Sequence, residues 1–221
     1  MAVKEKQYLR KLLADKRWSE LLDWFRNSRG GMRKITPLIY DSDFLIRWRA
    51  VEALGKVSAV IAETDPENVR EIIRRYFWSM NDESGNQIIN APEVIAEILY
   101  NVPHLIGEFA EVFASFISEE PFESGIHWGL ARISEFKPNL PGNVIDRLEI
   151  SLQDENPFIR YFAASALNDL VPDRLYPHLK RMIEDMEQFE FYDVQSGELR
   201  CEKVSSFIGE YIASAEKIIN S

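Results

Sequence analysis

The chain has 221 residues, 46% of them hydrophobic and 28% charged, the balance of a folded protein and not of a disordered segment. Its 26 Lys and Arg against 36 Asp and Glu leave a formal charge of −10, which repels a phosphate backbone and sets nucleic acid aside as a partner. A single cysteine, Cys201, excludes an internal disulfide and a Cys-rich metal centre.

No apolar run reaches the roughly 18 residues that a spanning helix needs, so no membrane is expected. The charged opening Met1-Ala-Val-Lys-Glu-Lys6 has no apolar core of a secretory leader, and a cytoplasmic protein is expected. Apolar residues recur at helical spacing almost throughout. The pattern is helical over Tyr8–Leu13 and Trp18–Phe25, and Gly30-Gly31 stops it. The Lys and Arg between Lys4 and Arg17 alternate with core positions and are read as a solvated face. Ile35 to Tyr40 forms a short helix around Pro37, and a long helix runs from Asp43 to Ala62.

Capping grammar marks the next starts. Thr64-Asp-Pro-Glu67 and Asn90-Ala-Pro-Glu93 each combine a cap residue, a first-turn Pro and an acid, and open helices to Met80 and Asn101. Further helices are expected over His104–Ile117, Pro121–Phe136, Val144–Leu152, from Asn156-Pro157 to Pro172, and over Tyr176–Met186. Then the period changes. Gln188-Phe-Glu-Phe-Tyr-Asp193 alternates, Val194-Gln-Ser-Gly197 is a turn, and Glu198 to Val204 completes a β-hairpin signature. Val204, Phe207, Ile208, Tyr211 and Ile212 form the apolar stripe of a last helix.

Two distant blocks repeat. Asp41, Arg47, Ala50, Ala53 and Leu54 match Asp154, Arg160, Ala163, Ala166 and Leu167, 113 residues on. Two weaker copies thread between them, so that the frame ends at Val57, Ile98, Ile133 and Leu170, with spacings of 41, 35 and 37 residues. That period fits a pair of helices with their turns. The Ala-x-x-Ala-Leu core with its Asp and Arg resembles the HEAT-repeat family, and within it bacterial HEAT-like proteins related to phycobilisome lyases. The resemblance implies an all-α α-α superhelix, a solenoid of antiparallel helix pairs. It also implies an Asp–Arg ladder between repeats and a binding surface along the concave face. One domain is expected, with a helix pair over 1–30, repeats over 31–187, and the hairpin and a capping helix over 188–221.

The frame selects the candidate sites. Ile46, Ala50, Ala53, Leu54 and Val57 share one helix face, which turns Trp48 and Glu52 away from it. Trp48, Ile89, Ser124 and Tyr161 fall in one column; Glu52, Glu93, Trp128 and Ser165 fall in another. Trp48, Glu52, Glu93, Trp128 and Tyr161 are therefore the expected concave-face contacts, with the tryptophans either exposed or semi-buried anchors or packed against adjacent repeats. Asn81, Asp82, Glu83 and Ser84 form a polar loop longer than a helix–helix turn requires. Arg47 and Arg160 are read as structural ion pairs with Asp41, Asp154 or a neighbouring repeat. His104, His127 and His178 are isolated from any zinc spacing, and Cys201 has no nearby His, so no metal, cofactor or catalytic residue is assigned.

The expected activity is a non-catalytic scaffold that binds another protein. The family resemblance also implies a second reading, a lyase-type or tetrapyrrole-handling protein with a small-molecule pocket drawing on Asp82, Glu83, Glu93 and His127.

Overall fold

The structure, a computed structural model, describes residues 3–82 and 87–207. These hold α1 (Val3–Ala14), α2 (Trp18–Asn27), α3 (Gly31–Ile35), α4 (Phe44–Ala62), α5 (Pro66–Met80) and α6 (Ala91–Asn101). They continue with α7 (Ile106–Ser115), α8 (Glu123–Ile133), α9 (Gly142–Ser151), α10 (Pro157–Leu170), α11 (Pro172–Leu175) and α12 (Leu179–Met182). A two-stranded hairpin follows, β1 (Gln188–Asp193) and β2 (Glu198–Lys203). The fold is all-α with a small hairpin.

The helices start where side chains satisfy their orphan N–H groups. The Asp43 carboxylate accepts from the N–H groups of Leu45 and Ile46, and Asn156 accepts from that of Phe158. At α5 the cap is Asp65, accepting from Asn68 N, with Pro66 in the first turn. Asn90 makes no side-chain cap bond at α6. The helix expected over Tyr176–Met186 is cut down to a 3-10 turn, Tyr176–His178, and the four-residue α12. Pro177 lacks an N–H to donate within it. Of the expected last helix, Phe207 is described and buried, while Ile208, Tyr211 and Ile212 lie outside the described residues.

The chain separates into two compact units, Met1–Phe109 with Tyr192–Glu198, and Ala110–Phe191 with Leu199–Ser221. In the first, α4 is the central helix. It packs on α1, α2, α3, the 3-10 turn Thr36–Tyr40, α5 and, most extensively, α6. It is therefore buried on nearly every side, from Ile46 to Ser58, and not along one stripe. Gly55 permits the closest approach: a Cβ there would stand 2.6 Å from the Glu97 carbonyl oxygen on α6. α5 returns antiparallel after a three-residue turn and buries only Val69, Ile73, Tyr76, Phe77 and Met80, the stripe of an outer helix.

In the second unit α10 holds the same central place, packed on α8, α9 and α11. Ala163, Ala164 and Ala166 are fully buried and keep the helices close, and the outer helix α9 buries Val144, Ile145, Leu148 and Ser151. Each unit is thus a short stack of antiparallel helix pairs with its second helix inside.

Candidate functional site

In the first unit, Trp48 and Glu52 project from α4 as the frame expects, but they do not face solvent. Trp48 is 6% exposed and stacks on Tyr192, with ring centroids 5.6 Å apart and planes 12° from parallel. The Tyr192 hydroxyl donates to Glu52 Oε2 at 2.5 Å, and Lys56 Nζ lies 3.2 Å from Glu52 Oε1. Burial, and then the adjacent Glu52 carboxylate, push the Tyr192 hydroxyl's pKa up, so it stays a donor. Behind this pair, the buried Arg49 guanidinium donates from Nε and Nη2 to the Gly197 carbonyl at 3.0 and 2.9 Å. It also donates to the Ala14 carbonyl at 2.7 Å and to Glu198 at 2.9 Å. Gly197 takes φ +68°, the left-handed region glycine favours, which closes the turn and aims its carbonyl at Arg49. Lys16 adds bonds to the Ser196 carbonyl and to Glu198 at 2.8 and 2.7 Å. The hairpin tip is a fastened lid on the column.

In the second unit, Tyr161 is 8% exposed. Its ring packs on Phe189, Phe191 and Phe207 at centroid distances of 5.0, 6.0 and 5.8 Å. Trp128 is 3% exposed. The expectation that Trp48 and Trp128 are exposed or semi-buried anchors is corrected in favour of the packed alternative: both are buried, Trp48 under the hairpin's Tyr192. Ile89 is exposed but precedes α6, so the first column does not continue along that helix. The Asp–Arg ladder is also revised. Asp41 pairs with Arg10 at 3.2 Å, and Arg47 lies over the Phe44 ring at 4.9 Å. Arg160 donates to Asp185 at 2.7 Å and to Glu187 at 2.8 Å, and reaches the Asp154 residue only at its backbone carbonyl. Arg49 and Tyr192 escaped the sequence reading. The available signal was that Arg49 occupies the frame position held by Phe162 in the other copy, an arginine at a core site.

Glu93 lies in the first turn of α6, half-buried, with its Oε2 shut off from solvent and without a hydrogen-bond partner. Desolvation pushes its pKa up to about 7. Of the polar loop, Asn81 closes α5 by donating from Nδ2 to the Phe77 carbonyl at 3.0 Å, and Asp82 is partly buried. Glu83 and Ser84 lie outside the described residues. His127, in the second unit, is fully buried between the Glu123 carbonyl at Nδ1, 2.8 Å, and Ser151 Oγ at Nε2, 2.9 Å. Desolvation depresses its pKa to about 4, so it is a neutral core histidine. Cys201 is exposed on β2. No group of three metal-ligating side chains occurs among the described residues.

A different surface of the first unit is open. A cleft of about 170 Å³ is floored by Met32, Ile72, Tyr76 and Ile88 and rimmed by Arg33 and Arg75. Burial pushes the Tyr76 hydroxyl's pKa up to about 12. One turn along α5 from Arg75 stands Trp78, 78% exposed, and Ile89 beside Ile88 is 53% exposed.

These features describe a helical-repeat protein whose inner aromatic positions are covered from within the chain. An uncharacterized protein of Archaeoglobus fulgidus is 31% identical over 165 residues, 72% of this chain and 85% of that protein. The chain belongs to the same family as this archaeal protein. No protein-family model matches it. A crystal structure of the archaeal HEAT-like repeats protein from Thermococcus onnurineus NA1 aligns with 93% of this chain and 97% of its own, at 14% identity and a TM-score of 0.35. At that score the fold assignment rests on the helix pairs themselves. The broad resemblance to HEAT-like repeats agrees with those pairs; the narrower one, to bacterial phycobilisome-lyase relatives, gains nothing from either archaeal protein. No described helix is long and apolar enough to cross a membrane.

Proposed function

We propose that the chain is a non-catalytic scaffold that binds another protein, and that it does so through the α3–α5 surface of its first unit. The observation that carries this reading is Trp78, a large aromatic 78% exposed beside an arginine-rimmed apolar cleft. Tryptophan and arginine are the residue types that dominate binding hot spots, and stacked helix pairs present extended surfaces more readily than deep pockets. The second-helix face is set aside as the contact surface because Trp48, Glu52 and Tyr161 are engaged by the hairpin. The lyase-type reading draws on His127 as an acid or base, and that ring is fully buried with both nitrogens hydrogen-bonded.

Affinity capture from cells that express the chain naturally tests the proposal. Partners retained by the unaltered chain should be lost with Trp78→Ser and kept with a surface control such as Ile150→Ser, also an exposed hydrophobic position. Retention of the same partners by Trp78→Ser would remove the reading.

A further inference from the structure

We infer that the cleft between α3 and α5 takes one apolar side chain of an acidic segment in the partner, its flanking carboxylates meeting Arg33 and Arg75. The inference rests on the scaffold reading and adds the chemistry of the partner.

Volume settles the first half. A dry cavity of about 150 Å³ holds a single benzene, whereas sites for whole drug-sized ligands or cofactors run from about 300 to 1,000 Å³. At about 170 Å³ the cleft accommodates one phenyl ring or one branched aliphatic group. Its floor of Met32, Ile72, Tyr76 and Ile88 is apolar and adaptable, with the Thr36 side chain at its edge.

Charge settles the second half. Many arginines of this acidic chain are already paired, among them Arg10, Arg49, Arg147, Arg160 and Arg174. On α5 itself, Arg70 is tied to Glu67 and Glu108, and Arg74 to Glu67 and Glu71. Arg33 and Arg75 make no ion pair with any described carboxylate, and both line the cleft. Two exposed guanidinium groups at the mouth of an apolar cleft fit carboxylates and repel cations, because the planar fork of Arg matches a carboxylate's two oxygens. Trp78, next to Arg75 on the helix, extends the contact to the segment's following residue. The occupant is therefore of the type acid–apolar–acid.

The test uses the full chain with labelled Ile and Met methyl groups and three capped tripeptides: Glu-Phe-Glu, Gln-Phe-Gln and Lys-Phe-Lys. Glu-Phe-Glu should shift the methyl signals of Ile72, Ile88 and Met32 saturably, and Lys-Phe-Lys should not. Exposed ion pairs contribute modestly, so Arg33→Gln with Arg75→Gln should weaken the Glu-Phe-Glu response about three- to tenfold at low salt. Ile88→Trp, which fills the cleft, should abolish it while the melting temperature is retained. Equal responses to all three peptides, or shifts confined to other methyl groups, would overturn the inference. So would equal binding of free 3-phenylpropionate, which would make the cleft a small-molecule site. The two levels fail separately: loss of peptide binding sinks this inference alone, whereas capture indifferent to Trp78 sinks the scaffold reading.

Discussion

The two copies of the repeated block, α4 in the first unit and α10 in the second, solve the same packing problem with different polar chemistry. Both are inner helices, and both place an aromatic, Trp48 or Tyr161, under hairpin aromatics. Their matched arginines diverge. Arg160 is fastened by Asp185, Glu187 and two backbone carbonyls, whereas Arg47 rests on the Phe44 ring with its Nε lacking a partner. A shared sequence motif therefore fixes helix packing, which depends on side-chain shape. It does not fix the ion pairs, which depend on whatever segment arrives opposite.

The largest break between the copies is expected at those arginines. Arg160→Met leaves Asp185 and Glu187 without their cation and should cost about 3 kcal/mol; Arg47→Met should cost under about 1 kcal/mol. Urea denaturation at pH 7 measures both, and equal costs would dissolve the distinction.

The pH response sharpens it. Glu93 has a folded pKa raised from 4.5 to about 7, so the folded first unit binds the extra proton and its stability falls as pH rises from about 4.5 through 7. Glu93→Gln should recover up to about 3 kcal/mol at pH 8 and little at pH 5. His127 has a folded pKa lowered from 6.5 to about 4, so the unfolded chain binds the proton first. The second unit's stability is full above pH 6.5 and is lost as pH falls toward 4. Hydrogen exchange at pH 5 and pH 8 should thus show protection moving in opposite directions in the two units; parallel changes would contradict these assignments.

A smaller contrast lies at Gly55 and its frame partner Asn168. Gly55→Ala drives a methyl group into the α6 backbone and should cost about 2 kcal/mol, while Asn168→Ala, partly exposed, should stay within about 0.5 kcal/mol. Thermal melts of the two variants decide it.

The helix starts at Asp43, Asp65-Pro66 and Asn156-Pro157 and the hairpin at 188–203 were legible because caps, prolines and the period-2 switch are local signals. The candidate site was legible only in part. The frame expected Trp48 and Glu52 to lie away from the alanine face and open to a partner, but what covers them comes from Tyr192, 140 residues beyond Glu52. No periodicity carries such a contact. Arg10 taking Asp41 from Arg47 is the same kind of event, a long-range partner displacing a local one. Trp78 was not singled out as an anchor because it directly follows Tyr76 and Phe77, both buried, and nothing in the sequence separates it from that aromatic run until its exposure is known.

Hydroxyl-radical footprinting of the tryptophans tests most directly whether the hairpin covers the inner face and leaves Trp78 as the open aromatic. Trp78 should oxidise at least about tenfold faster than Trp48 and Trp128, in keeping with 78% against 6% and 3% exposure, and Tyr192→Ala should raise the rate at Trp48 alone. Oxidation of Trp48 as fast as Trp78 in the unaltered chain would contradict it.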